Sequence, residues 1–219
     1  MRYLDLKNKI SNYPFIIAKD LERLEKDPQP LRNQLTRWQR KGLLLKLKRG
    51  LLILNEGDRK IAPSKPFIAS QLYAPSYVSL EYALSHYGLI PEQAADVTSI
   101  TTKKTARFAN PLGVFVYQNI KPQAFQGFRL NKDSAGMPFF IAEPEKALLD
   151  YLYLNLSRIP TAAKTAGAGP EAFFNESLRL QNTGQLKQKR LIELARLFRS
   201  PKLQRLMKPL LHFIREGAV

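Results

Sequence analysis

The sequence contains no cysteine in 219 residues. That excludes a disulfide framework, thiolate zinc sites and a cysteine nucleophile. Histidine is nearly as scarce: His86 and His212 are the only two, and neither has a second ligand at metal-binding spacing. No uninterrupted apolar run approaches the roughly 18 residues of a membrane-spanning helix. The first ten residues carry neither an apolar signal region nor a small-residue cleavage site, so the expectation is a soluble cytoplasmic protein with no membrane partner. A glycine-rich phosphate loop ending in Lys and Ser/Thr is missing, as is a G-x-S-x-G elbow. The chain is therefore expected to need no cofactor or metal and not to be an enzyme. Acidic side chains are also under-represented, at 18 Asp+Glu against 35 Lys+Arg, a net charge of +17. Such an excess points to a polyanionic partner, usually nucleic acid and less often an anionic membrane.

What is present is enough for a core. Apolar residues make up 44%, near the globular norm, and the length suits one large domain or two small ones. The basic charge sits at the two ends. Residues 1–62 hold 15 basic and 7 acidic side chains, residues 63–178 hold 10 and 9, and residues 179–219 hold 10 and 2. A solvated basic surface with no partner remains an open reading of this sorting.

The N-terminal end has a recognisable order of elements. Tyr3, Leu4, Leu6 and Ile10 are spaced for a helix. After an apolar run at Phe15, Ile16 and Ile17, residues 19–24 predict a second short helix. The prolines at Pro28 and Pro30 disfavour helix before them, and Pro30 suits the first turn of a third helix over 31–41. Gly42 ends that helix. At 100° per residue, Leu31, Leu35 and Trp38 fall within about 60° of one another. Asn33, Thr36, Arg37 and Arg40 lie opposite, with Arg32 beside them. Residues 43–48 and 51–54 then read as a hairpin with a basic tip of Lys46, Lys48 and Arg49.

Three short helices and a basic hairpin are the order of a winged helix-turn-helix. In that arrangement the third helix enters the major groove and the wing lies along the phosphate backbone. Arg bridges guanine O6 and N7, Asn bridges adenine N6 and N7, and Lys and Arg neutralise phosphates. The candidate DNA-binding residues are thus Arg32, Asn33, Thr36, Arg37, Arg40, Lys46, Lys48 and Arg49, and the candidate partner is double-stranded DNA. A winged-helix module used for protein contacts is the alternative at this point.

Residues 55–66 are polar and proline-bearing and read as a linker, giving a DNA-binding domain over 1–60 and a second domain over 61–219. In the second, helices are expected over 67–73 and 80–87. Strands are expected over 97–102, 113–117 and 127–130, and another extended run, 138–142, leads into a helix opened by Pro144. Residues 161–169 read as a loop. Helices over 171–180 and 187–199 follow, then a last one from Lys202 that Pro209 kinks or splits. The fold class is α+β: a small sheet with helices grouped around it. Lys187, Lys189, Arg190, Arg196, Arg199, Lys202 and Arg205 form a candidate second basic surface on the last helices, facing DNA phosphates or an acidic partner.

Several blocks resemble one known family. They are Tyr77–Leu84 followed by His86–Pro91, Thr98–Lys104 followed by Gly113–Tyr117, Ile141–Asp150, and the hairpin from Gly42 to Gly50. In order and spacing they are similar to the AbiEi-type antitoxins of bacterial type IV toxin–antitoxin, or abortive infection, systems. The resemblance covers most of residues 5–155. One departure is Leu51-Leu52-Ile53, where the family pattern leads one to expect an aromatic residue. The resemblance implies a winged-helix autorepressor that binds the operator of its own operon. It further implies an antitoxin activity in the α+β second domain, opposing a nucleotidyltransferase-like toxin encoded beside it, with no need for a stable complex between the two.

A plain winged-helix regulator is one alternative. A metal-dependent nuclease is another, because Glu143, Glu145 and Asp150 with Lys146 are the residue types such chemistry uses. The same residues are also explained structurally, by acidic groups at a helix N-terminus and an i, i+4 pairing of Lys146 with Asp150.

Overall fold

Helical apolar spacing dominates the first 40 residues, and after them extended apolar runs are interleaved with further helices. The computed structural model describes residues 2–23, 25–160 and 169–217. Helix α1 (Tyr3–Ile10) buries Leu6 and Ile10, and α2 (Ala18–Glu22) is a single short turn of helix. Helix α3 (Pro28–Arg40) starts three residues earlier than its apolar spacing predicts. Asp27 caps it by accepting from the Gln29 N–H at 3.0 Å, and both prolines sit where a missing N–H costs nothing. Its buried face is Leu31, Leu35 and Trp38, as the spacing requires. Gly42 follows the helix with φ +69°, the left-handed geometry glycine adopts most readily.

The hairpin forms as expected, from β2 (Leu44–Lys48) and β3 (Leu51–Leu54). The apolar run at residues 15–17 contributes a further strand, β1 (Ile16–Ile17), giving a three-stranded antiparallel sheet of order β1-β3-β2. All four residues of β3 are buried, because its two faces serve different cores. Leu52 and Leu54 join Leu44, Trp38 and Leu6 in one cluster. Leu51 and Ile53 join Leu47 in the larger buried cluster, which extends to Ile214.

Ser64 caps α4 (Lys65–Leu72), its hydroxyl accepting from the Phe67 N–H at 3.2 Å. A six-stranded mixed sheet follows, of order β6-β7-β5-β4-β9-β8. Its strands are β4 (Ser76–Val78), β5 (Val97–Thr101), β6 (Ala106–Asn110), β7 (Gly113–Asn119), β8 (Phe128–Lys132) and β9 (Pro138–Ala142). Strands β5–β7 and β4–β9 pair in parallel, and the rest are antiparallel. Helix α5 (Leu80–His86) packs on α6 (Pro144–Leu154), which in turn packs on α8 (Gln188–Leu197). Helix α9 (Pro201–Glu216) then packs on α8 and on α7 (Pro170–Ala172).

The architecture is mixed α and β. The helix expected over 171–180 is instead the single turn of α7 followed by a wider π-type turn at Phe173–Ser177. Helix α9 continues through Pro209, holding Leu203, Leu206, Met207, Leu210 and Ile214 on its buried side. The loop expected over 161–169 lies almost wholly outside the described residues. No helix among the described residues is long and apolar enough to cross a membrane.

Candidate nucleic-acid interface

On α3 the residues opposite the apolar stripe are free of packing. Arg32, Asn33, Thr36, Arg37 and Arg40 are all exposed. Their immediate partners differ. The Arg32 guanidinium donates to Glu22 at 2.8 Å, and its pKa is raised by that hydrogen bond. Asn33 accepts from the Gln29 side-chain amide at 3.3 Å, and the Thr36 hydroxyl donates to the Arg32 carbonyl at 2.9 Å. Arg37 and Arg40 make no ion pair among the described residues. Both side chains are exposed on a helix of 13 residues.

The basic residues of the hairpin separate into two kinds. Lys46 and Arg49 are exposed. Lys48 is turned inward: its ammonium donates to the carbonyls of Leu72 at 2.7 Å and Gln71 at 2.9 Å, at the C-terminal end of α4. Burial pushes its pKa down, and nearby Lys103 adds to that. A helix C-terminus offers unpaired carbonyls and a partial negative charge, so a cation is well placed there. A groove runs between α2, the first half of α3 and the hairpin tip, lined by Lys19, Glu22, Arg32, Lys48, Arg49 and Gln71.

Among the C-terminal basic residues, Lys187, Lys189, Arg196, Arg199, Lys202 and Arg205 are exposed on or beside α8 and α9. Arg190 is engaged. Its Nε and Nη2 donate to the two oxygens of Glu143 at 2.7 and 2.9 Å, and Nη1 reaches Glu193 at 3.4 Å. The bidentate contact holds the Glu143 carboxyl below its ordinary pKa.

The acidic residues of the 141–150 stretch do not converge. Glu143 faces Arg190. Glu145 is buried and accepts from the Lys187 N–H at 2.9 Å, just before α8 begins. Asp150 is fully buried in an ion pair with fully buried Lys146, the i, i+4 pair the sequence suggests. Two hydroxyls complete the site: Ser79 donates to Asp150 at 2.8 Å and Tyr77 at 3.0 Å. The Lys146 ammonium lies 4.5 Å from the Phe198 ring centroid and 5.4 Å from that of Tyr77. Burial pushes the Asp150 pKa up and the Lys146 pKa down, while their mutual attraction opposes both shifts. This stretch therefore ties α6 to β4 and to the C-terminal helices. Gly127 closes the same centre with φ +80°, where an added Cβ would sit 2.7 Å from a Leu194 methyl and 3.3 Å from the Lys146 chain.

Two features escape sequence reading. Lys48 reads as another wing lysine because its carbonyl partners are more than twenty residues away. The pairing of Glu143 and Glu145 with the start of α8 spans more than forty. No protein-family model matches the chain, and no curated protein aligns with it significantly.

Proposed function

We propose that the chain is a winged helix-turn-helix DNA-binding protein of the AbiEi antitoxin type. In this reading it represses its own operon by binding an operator and opposes a nucleotidyltransferase-like toxin through its second domain. The observation that carries the DNA-binding part is the exposed face of α3. Asn33, Thr36, Arg37 and Arg40 are exposed on one side of α3, and Arg32 of the same helix shares a groove with Arg49 of the hairpin tip. Amide, hydroxyl and guanidinium groups on a helix face are what base edges in a major groove require. Lys46 and Arg49 suit the backbone. The antitoxin part is supported by the resemblance of the 42–50, 77–91, 98–117 and 141–150 blocks.

A nuclease reading needs carboxylates gathered round a metal. Glu143, Glu145 and Asp150 instead engage Arg190, the Lys187 N–H and Lys146 respectively, which favours a structural role for all three.

The test couples two measurements on the intact chain. A duplex from directly upstream of its own reading frame should bind more tightly than a scrambled duplex of equal length. Arg37→Ala and Arg40→Ala should each lose about 1–3 kcal/mol of that preference. Coexpression with the neighbouring gene product should relieve toxicity, and charge reversal on α3 should spare that relief while abolishing repression. Equal binding to both duplexes ends the repressor reading. Sequence-specific binding without relief of toxicity leaves a plain regulator.

A further inference from the structure

The middle of the chain is nearly neutral overall, yet its charges are not mixed. Residues 97–132 contain six Lys or Arg and no Asp or Glu. Residues 28–55, which include α3 and the hairpin, contain seven and none. The fold brings these two acid-free stretches together. Strand β6, at one edge of the six-stranded sheet, lies beside β2 of the hairpin, and the Asn110 amide donates to the Leu47 carbonyl at 3.3 Å.

The contact is reinforced at the C-terminal end of α4. Lys48 enters it from the hairpin, as described above. Lys103 enters from the β5–β6 turn, donating to the Ala74 carbonyl at 2.5 Å and lying 5.4 Å from the Tyr73 ring centroid. The Tyr73 hydroxyl donates to the Lys104 carbonyl at 3.1 Å, and the Asn119 amide to the Lys103 carbonyl at 2.8 Å. The turn that carries Lys103 and Lys104 is thus held on both sides. Arg107 follows on β6, where Arg107 and Ala109 are exposed and their neighbours Ala106, Phe108 and Asn110 are half-buried. Lys103, Lys104 and Arg107 are all exposed, and none makes an ion pair among the described residues.

We propose that Lys103, Lys104 and Arg107 form a phosphate-binding strip on the second domain that continues the hairpin's basic surface along the same DNA duplex. This rests on the DNA-binding reading of α3 and the hairpin. The strip belongs to a strand edge and a pinned turn, so it meets the backbone pre-ordered. Its contacts would be with phosphates, because two lysines on a turn and one arginine on the adjoining edge strand offer charge and no groove-shaped probe. Lys48 is then a positioning residue: it fixes the hairpin against α4 so that the two basic surfaces keep one geometry.

The experiment uses the intact chain with the upstream duplex and a scrambled duplex, titrated over a series of salt concentrations. Lys103→Ala/Lys104→Ala/Arg107→Ala should weaken both duplexes alike. It should flatten the log–log salt dependence by about 0.9 per lost phosphate contact, up to about 2.7 in all. Because Lys103 also holds the Ala74 carbonyl, Lys104→Ala/Arg107→Ala is the second variant, with an expected flattening of about 1.8 and an unchanged unfolding midpoint. If the unsubstituted chain binds neither duplex, the strip and the DNA-binding reading fall together. If it binds, and Arg37→Ala/Arg40→Ala abolishes the preference while Lys104→Ala/Arg107→Ala keeps the full salt slope, the strip alone is refuted.

Discussion

Asp150→Ala would leave a buried ammonium without its carboxylate. Lys146 and Asp150 are both fully buried, and the ammonium is flanked by the rings of Phe198 and Tyr77. Removing one member of a buried pair costs about 3–5 kcal/mol. Proton loss sets a ceiling. Bringing Lys146 from its ordinary pKa near 10.4 to neutrality at pH 7 costs about 4.6 kcal/mol, at about 1.36 kcal/mol per unit. Tyr77 and Ser79 lose their acceptor as well, which adds about 1–3 kcal/mol for each hydroxyl left unpaired.

Against a total stability of about 5–15 kcal/mol, Asp150→Ala is severe. Lys146→Met is its informative companion, because the two variants should respond to pH with opposite sign. In Asp150→Ala the native state sheds the Lys146 proton before the unfolded state does. The unfolded chain then binds more protons, and stability rises with pH by up to about 1.4 kcal/mol per unit. In Lys146→Met the native Asp150 holds its proton above about pH 3.9, where the unfolded carboxyl has lost it, so stability falls as pH rises. Urea unfolding followed by far-ultraviolet circular dichroism at about pH 5, 7 and 9 measures both slopes. A loss below about 1 kcal/mol for Asp150→Ala, or slopes of the same sign in the two variants, would refute this account of the buried centre.

Arg49→Ala should weaken upstream and scrambled duplexes equally and flatten the salt slope by about 0.9; a loss confined to the upstream duplex would mean that the hairpin reads bases. Neutralising Lys187, Lys189, Arg196, Arg199, Lys202 and Arg205 together tests whether the C-terminal surface reaches DNA, and unchanged affinity and slope would assign it to another acidic partner. Glu143 has a native pKa lowered by Arg190, so its stabilisation is complete above about pH 4.5 and is lost as pH falls through the native value. Arg190→Met should therefore blunt acid destabilisation without changing the slope near neutrality, as unfolding midpoints between about pH 3 and 7 would register.

The parts of the fold legible in the sequence are those whose signal is local. Helix α3 shows a narrow apolar stripe, a proline in its first turn and a terminating glycine. The hairpin shows a basic turn between apolar runs, and α6 shows Pro144 at its start. Strand β6 is invisible because Ala-Arg-Phe-Ala-Asn has little intrinsic strand preference, and pairing with β7 makes it a strand. Strand β1 is two residues long and exists through its register with Leu51 and Leu52. Pro209 fails to split α9 because the buried leucines on either side of it hold one helix against the core. At the candidate site, the outward face of α3 follows from arithmetic on the sequence. The inward turn of Lys48 and the engagement of Arg190 depend on partners brought close only by folding.

Strand β3 is closed on both sides, with Leu52 and Leu54 in one core and Leu51 and Ile53 in the other. A substitution there disturbs two units at once, and the region has almost no freedom to vary. On the far side of α3 from the Leu52 core, the outer face of the helix is answerable to neither core. Asn33, Thr36, Arg37 and Arg40 can be rewritten one at a time with little effect on either interior. On the proposed reading of α3, a lineage of such proteins would drift fastest in what it binds and slowest in the strand that holds that helix in place.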